Sequence, residues 1–342
     1  MNSPHAFVLD RASGKLAIRM NARHVYVTRI IHDAGIAMLT QAGLAVKVGS
    51  LNRPPDHDEL VRQAAKHDAI ICQVADRMDE AVLQSAHGRC RIVAACTAGF
   101  DNIDVRAAKR LGILITNTPD VLTEATADLT WALLLATARR TGEAERLLRA
   151  GAWRGWNMLE FLGADVHGRT LGIVGAGRIG TAVARRATGF GMTILYAGRS
   201  DHPAMAALGG RHVPLVELME SSDFVSLHVP LTSETRHLID ARAISRMKRD
   251  AILINTARGD VVDQAALIEA LRAGQIAGAG LDVYQNEPRI ARDFFDLPNV
   301  VLLPHIGSAT ESTRRKMAET AAANVIAVLR GEKPLTPVNL AG

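Results

Sequence analysis

Residues 170–200, TLGIVGAGRIGTAVARRATGFGMTILYAGRS, contain the pattern that most restricts the fold of this chain. An apolar run with β character at 171–174 is followed directly by Gly175, Gly177 and Gly180, at G-x-G-x-x-G spacing. The first glycine of such a turn permits a tight bend, the second lets backbone amides approach a pyrophosphate, and the third lets the next helix pack on the strand. The helix N-terminus adds unpaired N–H groups and a positive dipole end. The segment therefore predicts a strand–turn–helix–strand unit that binds a dinucleotide.

The end of the second strand of this unit has no acidic residue. An NAD site usually has a carboxylate there, about 20 residues after the glycines, to bind the ribose 2′-hydroxyl. Gly198 occupies this position, and Arg199 and Ser200 follow it. A guanidinium and a hydroxyl can bind a 2′-phosphate, and no carboxylate repels it. We therefore expect NADP(H) to be the preferred cofactor, with NAD(H) possible.

Composition limits the classes of protein to which the chain can belong. Its 342 residues are enough for two domains, and 48% hydrophobic with 22% charged residues is typical of a globular protein. No apolar run approaches the ~20 residues that span a bilayer, no secretory signal is recognisable, and the three cysteines lack metal-ligand spacing. We expect a cytoplasmic protein with no metal and no membrane partner. The net charge of +5 suits anionic ligands, but the arginines are scattered, which argues against nucleic acid as a partner.

Strand and helix patterns alternate along the chain. Helical patterns at 34–41 and 58–66 lie among the first strand patterns, which are found at 25–28, 45–48, 69–73, 92–96 and 113–116. A long helix is predicted at 124–150, and a final helix at 312–330. The glycine-rich unit lies between these helices, together with strand patterns at 224–227, 251–254, 277–281 and 300–302. Such alternation is typical of parallel sheets that are covered by helices on both faces.

The order of these elements predicts an α/β protein with two doubly wound parallel-sheet domains. A Rossmann dinucleotide-binding domain at 123–308 is inserted in a flavodoxin-like substrate domain at 23–122 plus 309–342, because the final helix is long enough to return to the first domain. Residues 1–22 precede the first convincing strand and are interpreted as an N-terminal extension. We expect the active site in the cleft between the two domains.

Three downstream segments change abruptly from apolar to polar: INTARGDVVD at 254–263, GLDVYQNEP at 280–288 and LLPHIGSAT at 302–310. Ligands bind at the carboxyl ends of strands in such sheets. His305 can donate a proton near neutral pH, Glu287 can pair with the imidazolium, and Arg258 can bind a substrate carboxylate through a forked pair. Asp282 can accept from a nicotinamide carboxamide and orient the ring. Each residue alone has a structural explanation, but the set indicates reduction of a ketone by hydride transfer.

The chain resembles the D-isomer-specific 2-hydroxyacid dehydrogenases from about residue 24 to the Pro-Val-Asn near its C-terminus. The resemblance implies that Arg258, Glu287 and His305 are the catalytic set. The segment HVPLTSET at 228–235 is similar to one that lines the cofactor in this family. Together with the glycines and the Arg-Ser pair, the implied cofactor-binding set is Gly175, Gly177, Arg178, Ile179, Gly180, Arg199, Ser200, His228, Val229, Pro230, Thr235, Thr256, Ala257, Asp282 and Gly307.

The segment CTAGFDNID at 96–104 is similar to the family loop whose backbone amides bind the substrate carboxylate. The implied substrate-binding set is Ala98, Gly99, Arg258 and His305. Phosphite dehydrogenases resemble the chain but have a lysine at the position of Ala98, and formate dehydrogenases have a glutamine at that of Glu287. The first difference argues against an inorganic phosphite substrate, and the second favours carbonyl reduction here. Arg77 is either a contact to a polar substrate tail or a solvated side chain.

The segments at 117–140 and 153–156 resemble the glyoxylate/hydroxypyruvate reductase branch, which includes 2-ketogluconate reductases. The implied reaction is hydride transfer from NADPH to a small 2-oxoacid such as glyoxylate or hydroxypyruvate, with histidine as general acid. Alternatives are a 2-ketogluconate reductase, a phosphoglycerate dehydrogenase or a nucleotide-sensing corepressor-like binding protein. The family also implies a homodimer built on the 124–150 helix, with Trp153 or Trp156 reaching the partner's site, although core packing explains a tryptophan equally well.

Overall fold

The computed structural model describes residues 7–9, 16–18, 22–49 and 53–338. The chain divides into two compact units, unit 1 (Met1–Pro119 and Arg314–Gly342) and unit 2 (Asp120–Thr313). Most of the predicted N-terminal extension at 1–22 lies outside the described residues, as do residues 339–342 of the predicted substrate domain. Within the extension, β1 (Phe7–Leu9) and β2 (Leu16–Ile18) pair as antiparallel strands.

A five-stranded parallel sheet forms the centre of unit 1. Its strands are β3 (His24–Val27), β4 (Ala45–Val48), β5 (Ala69–Cys72), β6 (Ile92–Ala95) and β7 (Leu114–Thr116). The spatial order β4-β3-β5-β6-β7 is that of flavodoxin-like folds and confirms the predicted architecture. The helices between the strands are α1 (Asp33–Gln41), α2 (His57–Ala64), α3 (Glu80–Ala86) and α4 (Val105–Arg110).

Local sequence explains why these elements form. All residues of β5 and β6 are buried, as expected for parallel strands covered on both faces. The helices α2, α3 and α4 each follow an aspartate whose side chain accepts a hydrogen bond from an amide of the first turn: Asp56, Asp79 and Asp104. Such caps satisfy backbone donors that a helix start otherwise leaves unpaired.

Unit 2 is built on a seven-stranded parallel sheet. Its strands are β8 (Thr170–Val174), β9 (Thr193–Ala197), β10 (Arg211–His212), β11 (Phe224–Leu227), β12 (Ile252–Asn255), β13 (Gly278–Leu281) and β14 (Val300–Leu302). They lie in the order β10-β9-β8-β11-β12-β13-β14. The first strand of the unit is flanked by the second and the fourth, which is the Rossmann order, and the predicted Rossmann domain is confirmed.

The helices of unit 2 cover this sheet. They are α5 (Thr123–Ala138), α6 (Thr141–Arg149), α7 (Arg178–Ala187), α8 (Pro203–Ala206), α9 (Leu215–Ser221), α10 (Ala241–Ile244) and α11 (Gln264–Arg272). The last helix, α12 (Glu311–Arg330), starts in unit 2 and belongs to unit 1 from Arg314 onward. In the described part of the chain, no helix has the length and apolar character to cross a membrane.

The helix predicted at 124–150 is interrupted, so that prediction is wrong. α5 ends at Ala138 and α6 begins at Thr141, because Arg140 adopts a left-handed backbone with φ 51° and ψ 33°. This conformation is unfavourable for residues with a Cβ. The guanidinium of Arg140 binds both carboxylate oxygens of Glu143, at 2.9 and 2.8 Å, and this pair stabilises the break. An arginine gives no helix-ending signal in the sequence.

Candidate active site

The glycine-rich turn connects β8 to α7 in the middle of the unit 2 sheet. Gly175 has a φ of +100°, and a Cβ there would lie 2.8 Å from the carbonyl carbon of His228. A Cβ at Gly180 would lie 2.1 Å from the carbonyl oxygen of Gly175. A Cβ at Gly177 would meet nothing within 4 Å, and no described side chain caps the start of α7. The turn therefore leaves backbone donors accessible to an anion, which fits a dinucleotide pyrophosphate.

The two other residues predicted at this turn have different surroundings. Arg178 is exposed, and its guanidinium pairs with the carboxylate of Asp120. Ile179 is half-buried and packs against the core beneath α7. The side chain of Ile179 therefore anchors the helix.

A basic, exposed loop follows β9. Gly198 has open space around the position of a Cβ, and no described residue forms a hydrogen bond or ion pair with Arg199. The imidazole of His212 lies 2.9 Å from the carboxylate of Asp201 and 3.2 Å from the Gly198 carbonyl oxygen. The carboxylate nearest in sequence is thus already engaged, while the guanidinium of Arg199 and the hydroxyl of Ser200 face solvent.

His228 follows β11, beside the glycine-rich turn. Its Nε2 lies 2.8 Å from the hydroxyl of Ser226. Burial lowers the pKa of His228 to about 3, so the imidazole is neutral at physiological pH. A neutral ring at this position adds no charge to the turn.

The residues after His228 form a closed turn. The hydroxyl of Thr235 donates to the carbonyl oxygen of Pro230 at 2.6 Å and accepts from the amide of Thr232 at 2.8 Å. Val229 is half-buried and packs against the core. The predicted cofactor segment is therefore held by its own side chains.

The loop after β12 positions Arg258. Asn255 is 1% exposed, and its side chain accepts from the amide of Ala257 at 3.0 Å and donates to the carbonyl oxygen of Arg258 at 2.9 Å. Nη1 of Arg258 donates to the carbonyl oxygen of Ala257 at 2.8 Å. A Cβ at Gly259 would lie only 1.9 Å from the carbonyl carbon of Tyr284, so the backbones of the two loops are in direct contact.

A chain of threonine hydroxyls connects α5 to two predicted cofactor residues. The hydroxyl of Thr256 lies 2.9 Å from that of Thr130, which is 2.8 Å from the carbonyl oxygen of Thr126. The hydroxyl of Thr126 donates to the carbonyl oxygen of Gly307 at 3.1 Å. These buried bonds fix the loops after β12 and β14 to the same helix.

His305 and Glu287 form a close pair. Nδ1 of His305 lies 2.7 Å from Oε2 of Glu287, and Oε1 accepts from the amide of Tyr284 at 2.8 Å. Burial opposes ionisation of Glu287, but the bond and charge of His305, the Tyr284 amide and the charge of Arg258 outweigh it, so the pKa of Glu287 is lowered. With Nδ1 bound to the carboxylate, Nε2 is the ring nitrogen that can exchange a proton with a ligand.

Asp282 holds the loop that contains His305. It is 1% exposed, and its two carboxylate oxygens accept from the amides of Ile306 and Gly307, at 2.7 and 2.8 Å. Burial raises the pKa of Asp282 although these amides and His305 favour the charged form. His305 itself has a left-handed φ of 56°. In the structure both carboxylate oxygens accept backbone bonds. Contact between Asp282 and the nicotinamide stays a prediction.

Unit 1 contains the two residues predicted to bind the substrate carboxylate. The side chain of Asn117 donates to the carbonyl oxygen of Ala98 at 2.7 Å, and the hydroxyl of Thr97 donates to that of Gly99 at 2.6 Å. Among the described residues, none accepts a hydrogen bond from the amides of Ala98 and Gly99. The carbonyl oxygens of Ala98 and Gly99 are thus engaged, and their amides are available to a ligand. The side chain of Arg77 is 81% exposed and lies 3.2 Å from Asp79, as in a solvated surface pair.

The structure therefore brings together the carboxylate, imidazole and guanidinium groups predicted at the ends of β12, β13 and β14. It also reveals positioning residues that the sequence analysis missed: Asn117, Thr126, Thr130, Asn255, Gly259 and Tyr284. The signals available were an asparagine at a strand end and a glycine directly after the arginine in INTARGD. Within the described residues, no group of His, Cys, Asp and Glu has the geometry of a metal site.

Residues 131–307 match the family model described as D-isomer specific 2-hydroxyacid dehydrogenase, NAD binding domain. The chain belongs to this family. The glyoxylate reductase of Thermococcus onnurineus (strain NA1) is 50% identical to this dehydrogenase over 320 residues, which are 92% of this chain and 95% of that protein. The predicted family is confirmed.

Two solved structures illustrate the likeness. The TT0316 protein of Thermus thermophilus has a TM-score of 0.87 and 45% identity, covering 92% of this chain and 100% of its own. The NADPH-dependent glyoxylate/hydroxypyruvate reductase of Sinorhizobium meliloti, in complex with NADP and malonate, has a TM-score of 0.82 and 34% identity, covering 93% and 97%. The present dehydrogenase is thus an oxidoreductase that interconverts a 2-hydroxyacid and a 2-oxoacid with a nicotinamide dinucleotide.

Proposed function

We propose that this dehydrogenase reduces a small 2-oxoacid with NADPH as the preferred cofactor, converting glyoxylate to glycolate or hydroxypyruvate to D-glycerate. The observation on which the proposal rests is the 2.7 Å contact between His305 and Glu287 at the carboxyl end of the unit 2 sheet. In this pair His305 is a proton donor and Glu287 is its fixed, charged partner, and reduction of a carbonyl requires such a donor. The glyoxylate reductase relatives support the choice of substrate.

Each predicted site residue has a separate role in substrate binding or proton transfer. The nicotinamide, when bound, supplies the hydride. The amides of Ala98 and Gly99, together with the guanidinium of Arg258, bind the substrate carboxylate through charge-assisted hydrogen bonds. Nε2 of His305 donates its proton to the carbonyl oxygen as that oxygen becomes a hydroxyl, and the ring then regains a proton from solvent. Glu287 stabilises the imidazolium and fixes the ring orientation.

The preference for NADPH rests on the loop after β9. The guanidinium of Arg199 has no described partner, and the Ser200 hydroxyl is exposed beside it, so both groups are available to a 2′-phosphate. Asp201, the acidic residue next in the chain, is engaged by His212 at 2.9 Å. The ion pair of Asp201 is thus with His212 and not with Arg199.

Oxidation of NADPH and of NADH with four oxoacids tests this function directly. We expect turnover with NADPH and glyoxylate or hydroxypyruvate, and chiral chromatography should show that the glycerate formed from hydroxypyruvate has the D configuration. Fastest turnover with 2-ketogluconate would favour the 2-ketogluconate reductase alternative, and pyruvate serves as a simple comparison. Tight NADPH binding without turnover on any of the four would overturn the proposal in favour of a nucleotide-sensing binding protein.

We also propose that the enzyme is a homodimer. Six large apolar side chains are exposed between residues 148 and 162 of unit 2: Leu148, Trp153, Trp156, Met158, Leu159 and Leu162. Trp156 is 78% exposed, and a patch of this kind marks an interaction surface. The patch begins at the end of α6 and contains no residue of α5. Light scattering after gel filtration should give a dimer, and Trp156→Arg should give a monomer; a monomeric wild type would contradict the proposal.

A further inference from the structure

Arg29 is a mostly buried arginine for which the described residues provide no hydrogen-bond acceptor. It lies two residues beyond β3, and its side chain is 21% exposed. Its ion pair within the described residues is a 4.0 Å contact between Nε and Oδ1 of Asp76. Both of these atoms are buried, and no described residue forms a hydrogen bond with either of them. Nε is enclosed by the protein, but the two Nη atoms are accessible and have no acceptor among the described residues. Since a guanidinium donates strongly to anionic or hydroxyl oxygens, these Nη atoms fit an acceptor that a ligand supplies.

Asp76 is rigidly held as the countercharge of Arg29. It is fully buried, and its Oδ2 accepts from the hydroxyl of Thr28 at 2.5 Å and from the amide of Gln73 at 2.6 Å. The side chain of Asn102 donates to the carbonyl oxygens of Gln73 and Asp76, at 3.0 and 2.7 Å. Oδ2 is therefore engaged by two donors of unit 1, and Oδ1 is the carboxylate oxygen that faces the guanidinium of Arg29.

Arg29 lies just beyond the carboxyl end of β3, next to the point where the strand order of the sheet reverses. Open α/β sheets bind ligands at such points. The chain leaves β3 toward β4 on one side, and it leaves β5 toward β6 on the other. A crevice therefore opens between the carboxyl ends of β3 and β5, where Arg29 and Gln73 lie. The loop with Ala98 and Gly99 follows β6, two strands from β3. Strands are ~4.8 Å apart, so about 10 Å separates them, a distance that an extended arginine and a small acid can bridge.

We propose that Arg29, oriented by Asp76, recognises an oxygen that the substrate carries beyond its 2-oxo group, either a hydroxyl or a second carboxylate. This inference rests on the proposed function, in which the amides of Ala98 and Gly99 hold the first carboxylate. Hydroxypyruvate has such an oxygen at C3, and glyoxylate has none. Arg29 is thus a specificity-determining residue, and Asp76 is a positioning residue that acts through it.

Replacement of Arg29 by methionine separates the two substrates. Arg29→Met removes the donors and keeps much of the side-chain volume, so kcat/KM for hydroxypyruvate should fall roughly 10- to 100-fold, as for loss of a charge-assisted hydrogen bond. For glyoxylate the change should stay within about threefold. Asp76→Asn should raise KM for hydroxypyruvate with little change in kcat, which a purely structural role would not predict. Arg110→Met, at an exposed arginine paired with Glu80, is the matched control.

Equal losses on both substrates, or no loss on either, would overturn the inference. NADPH binding and the melting temperature of each variant report whether it folds. Calorimetric binding of D-glycerate and of glycolate to the enzyme with NADPH, a combination that cannot undergo hydride transfer, requires no turnover and separates two kinds of failure. Wild type that binds D-glycerate but reduces neither oxoacid contradicts the proposed function alone. Unchanged D-glycerate binding by a folded Arg29→Met variant contradicts the role of Arg29 alone.

Discussion

The predicted catalytic residues of unit 2 and the predicted substrate-binding donors of unit 1 are in opposite hydrogen-bonding states. In unit 2 the acidic groups are already paired: Glu287 with the imidazole of His305, and Asp282 with two backbone amides. In unit 1 the amides at 98–99 and the guanidinium of Arg29 have no hydrogen-bonded acceptor among the described residues. A group that transfers a proton must be held in one ionisation state before the substrate arrives. A group that binds an anion must keep its donors open until then.

This contrast predicts different kinetic consequences for variants of the two units. Changes to the paired groups of unit 2 should lower kcat, because the proton is needed only in the transition state. Changes to the donors of unit 1 should act more on KM, because the carboxylate is bound before and during the reaction.

The largest effect is expected at His305. His305→Gln keeps a polar side chain of similar length but removes the titrating nitrogen, so kcat should fall by about 100-fold or more, as for loss of general-acid catalysis. The dissociation constant of NADPH, measured by fluorescence titration, should not change. Near-normal turnover in this variant would refute the assignment.

The matched change is Glu287→Gln, which retains the shape of the partner without its charge. The lowered pKa of Glu287 means that the carboxylate is charged throughout the neutral range. Loss of this charge removes the stabilisation of the imidazolium, so the alkaline limb of the kcat profile for reduction should move to lower pH. An unshifted profile would indicate that the pair orients the ring only.

The second effect concerns stability and the half-buried ring of His228. Its pKa is lowered from 6.5 to about 3 by burial, so the unfolded chain binds the proton more readily. The free energy of unfolding is therefore highest above about pH 6.5 and decreases as the pH falls toward 3. Between pH 6.5 and about 5 the loss is up to about 2 kcal/mol, since each pH unit corresponds to ~1.4 kcal/mol.

Urea unfolding of wild type and His228→Asn over this pH range measures the difference. The variant should be less stable at about pH 7, and its free energy of unfolding should decrease less steeply as the pH falls. His167→Gln, at an exposed histidine of the same unit, should keep the wild-type slope. Identical slopes for His228→Asn and wild type would show that the ring is solvated or already protonated.

The third effect concerns the cofactor. Gly198→Asp places a carboxylate where a Cβ meets no neighbour within 4 Å, so the fold should tolerate it. The new charge should repel a 2′-phosphate and accept from a 2′-hydroxyl, which shifts the ratio of kcat/KM for NADPH over NADH about tenfold toward NADH. Gly189→Asp, at another open and distant glycine, is the control. An unchanged ratio would place the 2′-phosphate elsewhere.

The fold and the chemical groups were predictable because their signals are local. The glycine spacing, the apolar strand patterns and the abrupt polar strand ends each lie within about ten residues, and parallel sheets bring such ends together. The pair of Arg29 and Asp76 joins two segments that are far apart in the chain, which no local pattern connects. Gly259 is required by contact with Tyr284, which no spacing reveals. The break at Arg140 depends on a side-chain pair that overrides helix periodicity.

The smallest effect is expected at Asn117, which binds the loop that contains the amides of Ala98 and Gly99. Its side chain donates to the Ala98 carbonyl oxygen at 2.7 Å, and its own carbonyl oxygen accepts from the hydroxyl of Thr336 at 2.6 Å. Asn117→Ala removes one hydrogen bond without touching the predicted ligand, so KM for glyoxylate should rise about 3- to 10-fold while kcat stays within about twofold. Asn299→Ala, at a partly exposed asparagine that donates to Ala277, should leave both constants unchanged. A fall in kcat alone at Asn117 would mean that this loop contributes to the transition state, and the contrast between the two sheets would then fail.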